Sequence, residues 1–214
     1  MRSRVFLKVM DLGYPVMNLG AQLLQLEKDG TGDQGARVLS DASNLIYSIV
    51  EVFDAVGLHP VLCVRRKVWI NGMKYPMDTV GWNDASGGTD GRTIPKHKFS
   101  VDDSRLTNAE SLDDCARSGG DPHDIGIAES AILELEGIVS SFSRERGWTY
   151  SETGLALSLR AEYGEVCGAL EYVDLESALH EKVVGKLAME LADLLIYCIH
   201  CRIHCRMAGR QLSR

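Results

Sequence analysis

The sequence predicts an all-α protein, an antiparallel helical bundle. Apolar residues recur at helical spacing through 125–146, 152–172 and 177–207. Alternating, strand-like runs are sparse throughout. A stretch rich in Gly, Asp and Ser, 77–124, has neither period and divides the chain into two helical parts.

The first part, 1–76, contains "NLGAQLLQLEKDG" (18–30), "NLIYSIV" (44–50) and "GLHPVLCVRRKVWINGMKYP" (57–76). In the last of these, Lys67 and Asn71 are one turn apart and share a helix face. Residues 77–124 read as a polar linker or long loop. Its "GGTDGRT" has Arg where a phosphate-binding loop requires Lys, the wrong Gly spacing and no preceding strand, which excludes that motif.

Helices occupy the second part, 125–214. The first carries Ile132, Leu135, Val139 and Phe142 at helical spacing and is interrupted by "GWTY". Thr149 and Glu152 then form the pattern of a capping box. The next helix has the stripe Leu155, Leu159, Glu162, Val166, Leu170, and the last has Leu187, Glu190, Leu194, Tyr197, Cys201. An acid interrupts each stripe.

Those acids come in pairs with equal spacing, Glu162 with Glu165 and Glu190 with Asp193. Residues three apart share a helix face. An ionised carboxylate taken from water costs several kcal/mol unless compensated, and four together repel. No Lys or Arg on the same stripes is placed to neutralise them all. A hard divalent cation would do so, and carboxylate oxygens suit Mg²⁺ or Mn²⁺. The alternative is a solvated helix face that carries acids by chance. A di-iron bundle would want Glu-x-x-His repeats, which are absent from the sequence.

Bulk properties narrow the function. A net charge of −7 argues against general nucleic-acid binding, which needs a basic field. No apolar run approaches the ~20 residues of a membrane span. The start, "MRSRVFLKVMDLG", has its apolar part broken by Lys8 and Asp11, against a signal peptide. The expected location is cytoplasmic, with a mitochondrial transit peptide as the weaker alternative. Of six cysteines, three crowd into "CIHCRIHC" beside His200 and His204. Cysteines on one helix are poorly placed to pair, and structural zinc draws ligands from at least two elements. The expected role of these cysteines is that of small buried apolar residues.

"RERGW" (144–148), "GLALSLRAEYGEVCGALEY" (154–172) and "MELADLLIYCIHCRIHCR" (189–206) resemble the all-α nucleoside triphosphate pyrophosphatases, the MazG-like superfamily, and within it the dCTP pyrophosphatase branch. The resemblance covers about 132–206. It implies that Glu162, Glu165, Glu190 and Asp193 are catalytic Mg²⁺ ligands, with Mn²⁺ as a substitute. It places Tyr197 near the phosphates and Trp148 against the base, with Tyr172 as a second base-pocket aromatic. Val139 stands where the dCTP branch tends to have a polar residue.

Family members continue into a further helix reading roughly K-x-x-x-N-x-x-K-Y-P. Here that pattern is found at 57–76, so the resemblance assigns phosphate contacts to Lys67, Asn71 and Lys74. Aligned on Tyr, Ser40 and Ser43 replace Glu190 and Asp193, and Gln22 and Gln25 are spaced like Glu162 and Glu165. The N-terminal half thus resembles a degenerate second copy of the bundle. The implied reaction is hydrolysis of a (deoxy)nucleoside triphosphate, dCTP favoured, to monophosphate and pyrophosphate. The implied partners are the nucleotide and further copies of the chain in a homo-oligomer, with neither nucleic acid nor membrane. A non-catalytic nucleotide-binding or regulatory relative, or a structural helical protein with a metal site, are the alternatives.

Overall fold

The computed structural model describes residues 2–30, 32–75, 129–170 and 179–212. The 77–124 linker, Tyr172 and Cys115 lie outside the described residues. The elements are α1 (Arg2–Asp11), α2 (Gly13–Asp29), α3 (Gly32–Ala55), α4 (Pro60–Lys74), α5 (Glu129–Glu145), α6 (Glu152–Leu170) and α7 (Leu179–Leu212). No strand occurs among the described residues, so the chain is all-α there.

Local chemistry sets several of these boundaries. Pro60 opens α4 at a position where a missing N–H costs nothing. Ser151, rather than Thr149, caps α6: its Oγ accepts the Gly154 N–H at 3.0 Å. Glu152 is the first residue of the helix, so the capping position lies two residues beyond the one the Thr149–Glu152 pattern predicts. Helix α5 ends at Gly147, whose φ of 62° lies in the left-handed region. The Trp148 N–H then reaches back to the Ser143 carbonyl at 2.9 Å. This turn fixes where Trp148 leaves the helix.

The sequence stripes are the buried faces. Ile132, Leu135, Leu155, Leu159, Val166, Leu194 and Cys201 are all inaccessible to solvent. They join Leu19, Leu23, Leu45, Ile46 and Ile49 of the N-terminal half in one continuous core. The most extensive packing sets α3 on α7, α6 on α7, and α2 on α6. Each C-terminal core helix therefore has an N-terminal helix against it, and neither half has a core of its own. Helices α4 and α5 lie against α7, and α1 lies mainly on α3. Gly13 faces Tyr163, where a Cβ would stand 2.8 Å from the phenol oxygen, so a larger residue there would push the Tyr163 side chain aside.

Polar contacts pin the same helices. Arg202 on α7 is 4% exposed. It donates to Glu136 Oε1 at 2.8 Å, Glu129 Oε1 at 3.1 Å and Ser43 Oγ at 2.5 Å, tying α7 to α5 and α3. Burying a guanidinium is costly unless acceptors of this kind meet its donors. Gln22 and Asn18 both donate to Asp41, joining α2 to α3. Gln25 bonds Asp29 on its own helix. The positions that align with the acids, Gln22 and Ser43, thus serve as ties between helices.

The cysteines behave as small apolar residues. Cys63, Cys198, Cys201 and Cys205 are buried free thiols. Burial pushes Cys205 up to about 12 and raises Cys198 and Cys201 as well, which leaves the thiols inert. Among the described residues, no set of Cys and His gathers ligand atoms. His204 instead meets Glu152 Oε1 at 2.8 Å, at the start of α6.

Candidate functional site

A cavity of about 200 Å³ is walled by α4, α5, α6 and α7 and by the 148–150 turn. Both acid pairs line it. Oxygens of Glu162, Glu190 and Asp193 all lie within 4.8 Å of one another. Glu165 also lines the cavity but is exposed and stands outside this group. The expected set of four equivalent ligands is therefore three gathered acids and one at the rim. Residues three apart are rotated about 60° around a helix, which carries the second acid of α6 toward solvent.

The opposite wall is α4. Lys67, 7% exposed, places Nζ 2.6 Å from Asp193 Oδ2. Asn71 also bonds Asp193, and the Lys74 charge is close enough to act on it. On the acid-bearing helices the Lys186 charge acts weakly on Glu190, and α4 supplies the cation that meets the cluster directly. Lys67, assigned to phosphate by resemblance, is engaged with an acid in this arrangement.

Burial and mutual repulsion both disfavour the charged form of these acids. Burial, then the charges of Asp193 and Glu165, push Glu162 up to about 8, against the pull of Lys67. Glu190 is raised, first by burial, with Lys67 opposing. Asp193 is raised by burial even though Lys67 and Asn71 stabilise its charge. Burial would lower Lys67, but the attraction of Asp193, Glu190 and Glu162 outweighs it and the ammonium titrates above its ordinary value.

The donors fit a hard cation. Oxygens on opposite sides of an octahedral Mg²⁺ at about 2.1 Å are about 4.2 Å apart. Adjacent oxygens of that octahedron stand about 3 Å apart, so three carboxylate oxygens within 4.8 Å of one another would draw inward to hold one cation. The candidate ligands are Glu162, Glu190 and Asp193, with Glu165 able to reach in from the rim.

The other end of the cavity is aromatic. Trp148 stands edge-on to Phe142 at 5.4 Å and to Tyr75 at 5.3 Å between ring centres. Tyr197 packs edge-on to Tyr150 at 6.0 Å. Tyr150 lies 4.4 Å from the His200 ring. Val139, 1% exposed, contributes an apolar patch. Sequence reasoning did not assign Tyr75, Phe142, Tyr150 or His200 to the site. His200 had a legible signal, since seven residues beyond Asp193 is two turns on the same face. Tyr150 had none, because a loop that closes a helix end places it, whereas Tyr75 fills the Tyr position of the K-x-x-x-N-x-x-K-Y-P pattern.

Of the residues expected at the site, Lys67, Asn71, Lys74, Trp148, Glu162, Glu165, Glu190, Asp193 and Tyr197 converge on one cavity. Comparison with protein-family models, with curated proteins and with solved structures returns no match.

Proposed function

We propose that this chain is a Mg²⁺-dependent nucleoside triphosphate pyrophosphatase of the MazG-like type. It cleaves a (deoxy)nucleoside triphosphate, dCTP favoured, to the monophosphate and pyrophosphate. One observation carries the reading: a cavity with three gathered carboxylates, a facing wall of Lys67, Asn71 and Lys74, and an aromatic far end. Such a cavity suits a ligand that is polyanionic at one end and flat at the other.

A divalent cation held by Glu162, Glu190 and Asp193 would neutralise phosphate charge and acidify a water. Lys74 and Asn71 orient the polyphosphate from the α4 side, and Lys67 can transfer its ammonium from Asp193 to a phosphate oxygen. Glu165, at the solvent-facing rim, is the residue placed to accept a proton from an attacking water. Trp148 excludes water from the other end and holds the base, and Tyr197 lies toward the phosphates. Attack between the α and β phosphates follows from the family resemblance.

The membrane-free part of the reading is supported by the helices: none described is long and apolar enough to cross a membrane. The homo-oligomer part is supported by Phe6, Met10, Tyr14 and Met17, apolar side chains exposed on α1 and α2. Pyrophosphate release from a dNTP panel, with Mg²⁺ against EDTA, tests the activity. Release that EDTA abolishes is expected. Nucleotide binding without release would instead support the non-catalytic relative.

A further inference from the structure

His200 is a buried polar residue on the cavity wall, 6% exposed, beside Tyr150 and Tyr197. One of its ring nitrogens, Nε2, is 3.3 Å from the hydroxyl of Ser143, itself 7% exposed. His200 lines the cavity among aromatic rings and Val139, and Ser143 meets it from outside that lining. A buried polar pair so placed costs free energy that one long hydrogen bond only partly offsets. Pockets for small molecules have this form, apolar with a few placed polar groups that fix orientation.

The position of His200 along α7 gives it a role. Glu190, Asp193, Tyr197 and His200 all line the cavity from one helix. Seven residues at 1.5 Å each set His200 about 10 Å along the axis from Asp193. That is about the reach of a nucleotide from its phosphates to the far edge of its base. The rings of Trp148 and Tyr150 line this end of the cavity, and stacking alone tolerates every base. Discrimination needs an edge reader. Burial depresses the imidazole to about 4, so at neutral pH it is an uncharged donor and acceptor.

We propose that His200, positioned by Ser143, is the specificity-determining residue of the site and hydrogen-bonds the polar edge of a nucleobase whose phosphates lie toward Asp193. This rests on the nucleotide reading above and deepens it: the ligand is recognised by its base and not only by its phosphates. A site built to hydrogen-bond an edge rejects ligands that lack it far more strongly than an apolar pocket can.

The test is equilibrium binding, which does not depend on turnover. Dissociation constants of dCMP, dTMP, dAMP and 2-deoxyribose 5-phosphate are measured by calorimetry with Mg²⁺. The wild-type protein is compared with His200→Phe, His200→Gln and Ser143→Ala, each checked by circular dichroism. The wild-type spread among the three nucleotides should exceed about tenfold, or 1.4 kcal/mol. His200→Phe should compress it to less than about threefold and leave the sugar phosphate unaffected. If His200→Phe fails to fold, the same criterion applies to His200→Gln and Ser143→Ala. A spread that survives, a wild type with no spread, or a parallel loss of sugar-phosphate binding would overturn the proposal. A collapsing spread in a protein that releases no pyrophosphate from any dNTP would remove the hydrolase reading and leave the role of His200 standing.

Discussion

The Lys67 ammonium, 2.6 Å from Asp193 Oδ2, is a cation supplied by α4 to an acid on α7. Both groups are largely withdrawn from solvent, with side chains 8% and 17% exposed. The contact joins the two halves of the sequence at the site itself. It also occupies one of the two carboxylate oxygens of a candidate metal ligand.

Lys67 and a metal therefore compete for Asp193. Lys67→Met should tighten Mn²⁺ binding in the absence of nucleotide by about tenfold, the factor that 1.4 kcal/mol represents. Without metal, the variant should be less stable by about 3 kcal/mol, because breaking a buried pair leaves one charge uncompensated. Calorimetric titration and melting curves with and without Mn²⁺ check both. Equal Mn²⁺ affinity in the two proteins would show that the ammonium does not occupy the metal's place.

The acids should divide by position. Asp193→Asn should abolish turnover and weaken Mn²⁺ binding by more than about tenfold. Glu165→Gln should lower turnover by about 10²–10⁴, the usual worth of a general base, with a smaller effect on Mn²⁺ affinity. Both should keep the helical circular dichroism signal. Wild-type rates in both variants would end the site assignment.

The acid cluster makes the stability of the metal-free protein fall as pH rises. Glu162 goes from 4.5 to about 8 on folding, so its contribution is present below 4.5 and lost as pH passes 8. Glu190 and Asp193 move in the same direction. His200 runs the other way, from 6.5 to about 4, so its contribution is present above 6.5 and lost as pH falls through 4. Between pH 6.5 and 8 the carboxylates alone act. Each tenfold change in a carboxylate's affinity for its proton is worth about 1.4 kcal/mol, so Glu162 alone changes stability by a few kcal/mol. Differential scanning calorimetry without metal should give a melting temperature that declines across this window, and Glu162→Gln or added Mg²⁺ should flatten the decline. A rising melting temperature from pH 6.5 to 8 would contradict the buried-acid account.

Trp148→Ala should raise KM for the best substrate by about tenfold, near the lower end of the ~1–3 kcal/mol of base stacking. The edge contacts to Phe142 and Tyr75 are lost with it, so the aromatic end loosens. Preference among bases should flatten in steady-state assays of the dNTP panel. An unchanged KM with the same ranking would place the base elsewhere.

Residues 120–214 alone should be poorly folded and inactive. In the intact protein α6 is packed on α2, and α7 on α3 and α4, so a fragment would expose Leu155, Leu159 and Leu194. Adding residues 1–80 in trans should restore helicity and some activity. Full activity from the C-terminal piece would refute the contribution of Lys67 and Asn71.

The apolar stripes were legible because helical periodicity is local. Ile132, Leu135, Leu155, Leu159 and Leu194 follow from spacing alone and are all fully buried. The acid pairs were legible because polar groups stand out against such stripes. The capping residue of α6 was not, because Thr149 and Ser151 compete for one role and only backbone register chooses between them.

The sequence by itself determined the apolar stripes of α5, α6 and α7 and that the members of each acid pair share a helix face, both consequences of a 3.6-residue repeat. Only the tertiary structure decided that Lys67 meets Asp193, that Glu165 stays at the rim, and that Tyr75, Tyr150 and His200 close the aromatic end. The physical reason is range. Periodicity fixes a side chain's direction around its own axis, whereas the partner it meets depends on how separate helices pack. Here that packing brings α4 against α7 across the long stretch of chain that separates Lys74 from Asp193.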